Sequence, residues 1–93
     1  MYRLIGSRWV VAVLHELAGG PVRYNALHRR LDGVSHKVLT QTLRRLMRSG
    51  IVSRRAHPTP PPYVEYQLTG SGLELLRNLE RLERWAAVRG LLG

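Results

Sequence analysis

The chain has 93 residues and no cysteine, which limits the chemistry open to it. Without thiols it forms no disulfide, no thiolate zinc site and no cysteine nucleophile. The apolar fraction of 44% is typical of a globular protein, and the length predicts a single domain over residues 1–93. No apolar run approaches the roughly 20 residues that cross a bilayer, so we expect a cytoplasmic protein with no membrane partner.

The charge is strongly basic and unevenly distributed. The formal net charge is +9, and Arg supplies all the basic residues but one, Lys37. Residues 23–57 alone carry +8, whereas the flanking segments are nearly neutral. Such a concentration is expected of a surface that binds a polyanion such as nucleic acid. The alternative interpretation is a solvated charged face with no ligand.

Two helices are predicted in the first third of the chain. Residues 7–17 carry a broad apolar stripe at helical spacing, and the Gly-Gly-Pro sequence at 19–21 ends it. Residues 22–24 leave room for a brief extended piece. Residues 25–31 then predict a short second helix with leucines four residues apart.

A third helix follows a tight turn. Asp32 and Gly33 are turn residues, and Ser35 is a good N-cap because its hydroxyl accepts from an unpaired backbone N–H. The helix is predicted over about 35–49 and ends at Gly50.

A β-hairpin comes next, predicted over about 51–68. Its strands, residues 51–57 and 63–68, are joined by a proline-rich segment at 58–62. Proline lacks the N–H that a strand ladder needs, so this segment is predicted to be the loop.

The last helix is predicted over about 70–89, capped by Thr69 or Ser71. Ser71 and Glu74 fit the spacing of a capping box. The helix has more apolar surface than one small domain needs to cover, so we expect it to pair with a second copy, helped by the first helix. The expected seam follows an i, i+4, i+7, i+11 pattern: Leu75, Leu79, Leu82 and Ala86.

The order of elements is helix, helix, helix, hairpin, long helix. This order predicts a mainly α fold with a small β-hairpin, a winged helix-turn-helix domain with N- and C-terminal dimerisation helices. The expected partner is double-stranded DNA, bound by a homodimer at a palindromic site. Two recognition helices of such a dimer lie about 34–36 Å apart, one turn of DNA.

The third helix separates into two faces on a helical wheel. Leu39, Leu43, Leu46 and Met47 form an apolar stripe. We call the opposite side the recognition face, which comprises Lys37, Thr40, Gln41, Arg44 and Arg48. Glutamine pairs with adenine and arginine with guanine in the major groove. The expected base contacts are Ser35, His36, Lys37, Thr40 and Gln41, with Arg44 reaching bases or backbone and Arg48 reaching phosphates.

Arginines outside the third helix extend the candidate DNA surface. Arg54 and Arg55 lie on the first strand of the wing, and Arg23 precedes the second helix beside its N-terminus. We expect Arg23 to contact a phosphate, and the wing with Arg54 and Arg55 to lie along the DNA backbone or enter the minor groove. The alternative for the wing pair is protection of an exposed sheet edge against pairing with another strand.

Other functions receive little support from the sequence. The four histidines have no metal-ligand spacing, and no nucleophile triad or carboxylate pair stands out, so we expect neither an enzyme nor a metal or cofactor site. Two alternatives stay open: a non-specific architectural nucleic-acid-binding protein, and a protein-interaction module that docks through its last helix. A small-molecule effector is possible, and the sequence identifies none.

Four stretches resemble the HxlR family of bacterial winged-helix transcriptional regulators. They read SHKVLTQTLR at 35–44, GPVRYN at 20–25, PPYVEYQLT at 61–69 and GSRW at 6–9. The resemblance covers essentially the whole chain. It implies a homodimeric regulator in the cytoplasm, associated with the nucleoid, with the helix from Ser35 as reader and the terminal helices as the dimer interface.

The chain also departs from the family pattern. Arg45 and Ala26 stand where the family commonly has an acid, and Tyr63 stands where a basic residue is frequent at the wing. The departure at Tyr63 weakens the expectation of a minor-groove wing contact. Some family members sense oxidants through a cysteine, and with no cysteine here we expect no thiol switch.

Overall fold

The computed structural model describes residues 2–91, with side chains described from residue 8 onward. Four helices and three strands follow one another along the chain. They are α1 (Tyr2–Glu16), β1 (Val22–Arg23), α2 (Tyr24–Arg30), α3 (His36–Arg48), β2 (Val52–His57), β3 (Tyr63–Leu68) and α4 (Gly70–Val88). This is the winged helix-turn-helix arrangement that the sequence predicts.

The wing is a three-stranded antiparallel sheet in the order β1-β3-β2, not a bare hairpin. β2 and β3 pair from Val52 opposite Leu68 to His57 opposite Tyr63. The brief extended piece predicted near residue 22 is a strand, in which Arg23 lies opposite Glu65. Because β1 runs directly into α2, the sheet ties the wing to the start of the helix-turn-helix.

One apolar core holds the first three helices and the sheet together. Leu39 and Leu43 of α3 are 0% and 1% exposed, and they share the core with residues of α1, α2 and β2, including Val13, Leu27 and Val52. Burying one such side chain contributes about 1.5–3 kcal/mol to the free energy of unfolding. The side of α3 opposite this core is therefore the side that it presents to solvent.

The start of α4 differs from the predicted capping box. Thr69 is the N-cap: its hydroxyl accepts from the backbone N–H of Gly72 at 3.0 Å and donates to the carbonyl of Gly50 at 2.6 Å. Ser71 therefore lies inside the first turn, and its box with Glu74 does not form. The cap also fastens α4 to the end of α3.

Helix α1 begins at Tyr2, five residues before the predicted start at residue 7. The predicted start rests on the apolar periodicity, which begins only near Trp9. The difference arises because a helix can extend beyond the residues that carry such a pattern. Over residues 2–91, no helix is both long and apolar enough to span a bilayer.

Candidate nucleic-acid interface

The first turn of α3 is set by its N-cap. The Ser35 hydroxyl accepts from the backbone N–H of Val38 at 3.1 Å, and the Ser35 backbone is extended. This satisfies one of the four N–H groups that a helix start leaves unpaired. The helix therefore begins at a defined residue, which determines which side chains of the following turns face solvent.

The two predicted faces of α3 are present. Leu39, Leu43 and Leu46 are buried, and Met47 is partly buried against the same core. On the recognition face Thr40 is half-buried, while the other four residues are exposed: Lys37, Gln41, Arg44 and Arg48. Ser35 and His36 are exposed at the helix start. Six of the seven α3-region site residues are thus exposed.

One buried polar residue of α3 was not assigned from the sequence. Thr42 is 4% exposed, and its hydroxyl donates to the carbonyl of Val38 at 2.7 Å. Because the hydroxyl is satisfied within its own helix, Thr42 packs in the core at little cost. Because it is buried, Thr42 supports the recognition face from the core and does not contact a ligand.

Among the described residues, the cations of this surface have no carboxylate partners. α3 contains no acidic residue. The ion pairs within the described part of the chain join His15 to Glu83, Arg30 to Glu16 and His57 to Glu65. None of these pairs involves a candidate DNA-binding residue, so the basic side chains on α3 are available to an external anion.

A cluster of aromatic rings backs the recognition face. The Tyr24 hydroxyl lies 3.0 Å from Nδ1 of His36 and 3.5 Å from the hydroxyl of Thr40. The His28 ring is stacked on the His36 ring, with centroids 3.8 Å apart and planes 5° from parallel. Sequence reasoning missed this cluster, since its members come from two helices and follow no motif.

The wing arginines are exposed but do not share a face. Arg54 and Arg55 are consecutive residues of the edge strand β2, opposite Tyr66 and Glu65 of β3. Because side chains alternate along a strand, the two point to opposite sides of the sheet. A DNA duplex lying against one side of the sheet would therefore contact one of these arginines more closely than the other.

Arg23 lies between the helix-turn-helix and the wing. Its guanidinium carbon is 3.7 Å from the centroid of the Tyr63 ring, which is itself stacked on His57 at 4.5 Å. His57 in turn lies 2.8 Å from Glu65. These contacts hold the base of the wing against the start of α2. Arg23 stays exposed in this arrangement, with its guanidinium supported by the Tyr63 ring.

An open cleft of about 670 Å³ lies between the start of α2 and the wing. Its donors are Arg23, Asn25 and Arg29, and its wing side is formed by Pro61, Pro62 and Tyr63, among others. No group of three histidine, aspartate or glutamate side chains suitable for a metal ion occurs within the described ranges. The cleft is thus cationic and aromatic without a carboxylate in its lining.

Several known sequences and structures are similar to this chain, and the two sequence relatives given next carry names that mark them as uncharacterized. An HTH-type transcriptional regulator of Methanothermobacter thermautotrophicus is 37% identical over 86 residues, which are 92% of this chain and 66% of that protein. YtfH of Escherichia coli, also named an HTH-type transcriptional regulator, is 40% identical over 81 residues, 87% of this chain and 64% of YtfH. The chain thus spans slightly less than two thirds of the length of these relatives.

A solved structure agrees in fold as well as in sequence. The reduced form of the transcriptional regulator YodB of Bacillus subtilis superposes with a TM-score of 0.81 at 32% identity, covering 91% of this chain and 83% of YodB. The family model described as HxlR-like helix-turn-helix matches residues 4–90. Because that match contains α3, the wing, α4 and nearly all of α1, the chain belongs to the HxlR-like helix-turn-helix family.

Proposed function

We propose that this chain is a sequence-specific DNA-binding transcriptional regulator whose helix α3 lies in the major groove. The observation that carries the proposal is the recognition face: exposed polar and basic side chains, with no acid on the helix, above a fully buried leucine stripe. A major groove about 12 Å wide admits one α-helix. The proposed activity is binding in the cytoplasm, on nucleoid DNA, with no catalytic step.

The residues of α3 take different parts in this proposal. Gln41 suits a bidentate contact to adenine, and Arg44 one to guanine. Arg48, one turn further along, suits a phosphate. The remaining base contacts come from the start of the helix, where such helices approach the base edges: Ser35, His36, Lys37 and Thr40.

The flanking residues hold the DNA backbone. When α3 occupies a major groove and the wing approaches the next minor groove, the sugar–phosphate strand between those grooves passes over the cleft at the start of α2. Arg23 lines that cleft, and Arg54 and Arg55 extend the cationic surface along the wing. Such contacts fix the register of the protein on DNA without identifying bases.

The terminal helices support a homodimer. Apolar side chains of α4 remain exposed in the single chain, including Leu82 at 60% and Trp85 at 49%. Of the predicted seam, Ala86 is buried within the chain and Leu79 partly so, which leaves Leu75 and Leu82 for a partner. A second copy would cover them, and a two-fold axis would favour a palindromic site.

Selection from random duplex DNA tests the proposal. We expect bound fragments to converge on a palindrome, with half-sites about 10–10.5 base pairs apart or a multiple of that. Arg44→Gln should lose preference at one position of each half-site, while Arg81→Gln on exposed α4 should select the same site. DNA retained without any enriched sequence would contradict the proposal and favour a non-specific architectural binder. No retained DNA would favour a protein-interaction module.

A further inference from the structure

The side chain of Tyr24 connects α2 to two residues of α3. Tyr24 is the first residue of α2, and its hydroxyl lies 3.0 Å from Nδ1 of His36 and 3.5 Å from the hydroxyl of Thr40. His36 and Thr40 are one helical turn apart, so both project from the same side of α3. Both also belong to the proposed DNA contacts. The Tyr24 hydroxyl therefore contacts two of the proposed DNA-binding residues, and it does so from within the protein.

The ring of His36 has little freedom of orientation. The His28 ring is stacked on it in a nearly parallel arrangement, and the Tyr24 ring lies 5.8 Å away at 23°. These contacts fix the plane of the imidazole. The property left undetermined is the tautomer, that is, which of its two nitrogens carries the proton.

We infer that Tyr24 is a specificity-determining positioning residue that selects the tautomer of His36. A phenol has a single proton to donate, and Nδ1 of His36 is its nearer partner. When the phenol donates to Nδ1, the neutral imidazole carries its own proton on Nε2. His36 is exposed, so it presents that N–H as a donor to the solvent side.

The consequence for DNA rests on the proposed function. A fixed donor at Nε2 favours acceptor atoms such as N7 or O6 of guanine, N7 of adenine, or O4 of thymine. It disfavours the amino groups of cytosine and adenine, which are donors themselves. A phosphate oxygen would also accept this N–H, but a phosphate contact would strengthen binding to every sequence equally.

The variant Tyr24→Phe isolates the hydroxyl. The ring is retained, so its tilted contact with Tyr66 at 6.3 Å and its packing against the histidines are kept. Tyr66→Phe is the matched control, because it removes a tyrosine hydroxyl that has no hydrogen-bond partner within the described chain. Both variants should unfold at nearly the wild-type temperature.

Nitrogen-15 NMR of the free protein tests the hydrogen bond without DNA. With the imidazole neutral, we expect the His36 shifts of the wild type and of Tyr66→Phe to report the Nε2–H tautomer. Tyr24→Phe should give a mixture of both tautomers. A wild-type protein with the proton on Nδ1, or a tautomer ratio unchanged in Tyr24→Phe, would overturn the inference.

Selection from random duplex DNA then tests the effect on specificity. Tyr24→Phe should lose preference at one base pair in each half-site and bind the wild-type site about 2- to 10-fold more weakly, with binding to scrambled DNA unchanged. If Tyr24→Phe selected the same site, or lost affinity equally for all DNA, the specificity role of Tyr24 would be overturned and the proposed function would stand. A wild type that selects no site would overturn the proposed function as well, and the NMR result would show whether the hydrogen bond nevertheless exists.

Discussion

At the scale of single residues, Gln41 is the side chain whose replacement distinguishes base recognition from general attraction to DNA. It is exposed on α3 and uncharged, so its loss leaves the electrostatic attraction intact. Gln41→Ala should weaken binding to the selected site by about 1–3 kcal/mol and leave binding to scrambled DNA unchanged. Titration of both duplexes at one salt concentration measures this. Equal losses on the two duplexes would argue against a base contact.

Arg48 should behave in the opposite way. It lies in the last turn of α3, where we place a phosphate contact. Arg48→Ala should weaken binding to all sequences and lower the slope of log affinity against log salt by about one unit. Arg77→Ala on exposed α4 serves as the control and should leave the slope unchanged. A slope that Arg48→Ala does not alter would show that this side chain neutralises no phosphate.

The exposed residues of α3 could be predicted from sequence because one helix with 3.6 residues per turn places them. The aromatic cluster could not, because its hydrogen bond joins Tyr24 to His36 across a turn of the chain. The position of Arg23 over Tyr63 depends on the pairing of β1 with β3, which also lies outside any local pattern. The contacts that support the site were therefore the part that the sequence did not predict.

At the scale of elements, α4 depends on a close approach between Gly72 and the chain leaving α3. Gly72 is buried, and a Cβ atom at this position would overlap the backbone carbonyl oxygen of Ile51. Thr69 holds the same two segments together through its hydroxyl, which also donates toward Ile51. The crossing of the wing and α4 therefore requires a residue without a side chain.

Gly72→Ala should destabilise the protein. The overlap involves backbone atoms, so relief requires movement of α4 or of the strand entry, at a cost of about 1–3 kcal/mol in the free energy of unfolding. Gly70→Ala is the matched control, since a Cβ there meets nothing within 4 Å, and it should be close to neutral. Urea denaturation measures both. A Gly72→Ala protein as stable as the wild type would contradict the close approach.

Element boundaries show where sequence patterns end. Ser35 capped α3 as expected, because a serine before an apolar-periodic run has few competitors. At α4 both Thr69 and Ser71 were candidates, and Thr69 caps because its hydroxyl also reaches the Gly50 carbonyl. That second bond is a tertiary contact, which spacing along the chain does not reveal.

At the scale of the whole molecule, the exposed apolar side chains of α4 predict self-association. Leu82→Glu places a charge in the proposed interface and should convert a dimer into a monomer while retaining the fold. Arg81→Glu introduces the same side chain one position away, on another side of the helix, and should stay dimeric. Analytical ultracentrifugation distinguishes the two species. A wild type that sediments as a monomer would contradict the homodimer.

The uneven charge acts on the molecule as a whole. With a net charge of +9, most of it between residues 23 and 57, the protein should bind any duplex at low salt. Affinity for DNA therefore says little by itself. We propose that, beyond this general attraction, the recognition face distinguishes one sequence from others.

The most direct measurement of that claim is the ratio of two affinities. The selected duplex and a scrambled duplex of equal length and base composition are titrated with wild-type protein at physiological salt. We expect the selected duplex to bind at least about 10³-fold more tightly, as specific sites typically do. A ratio near one would contradict sequence-specific recognition by α3.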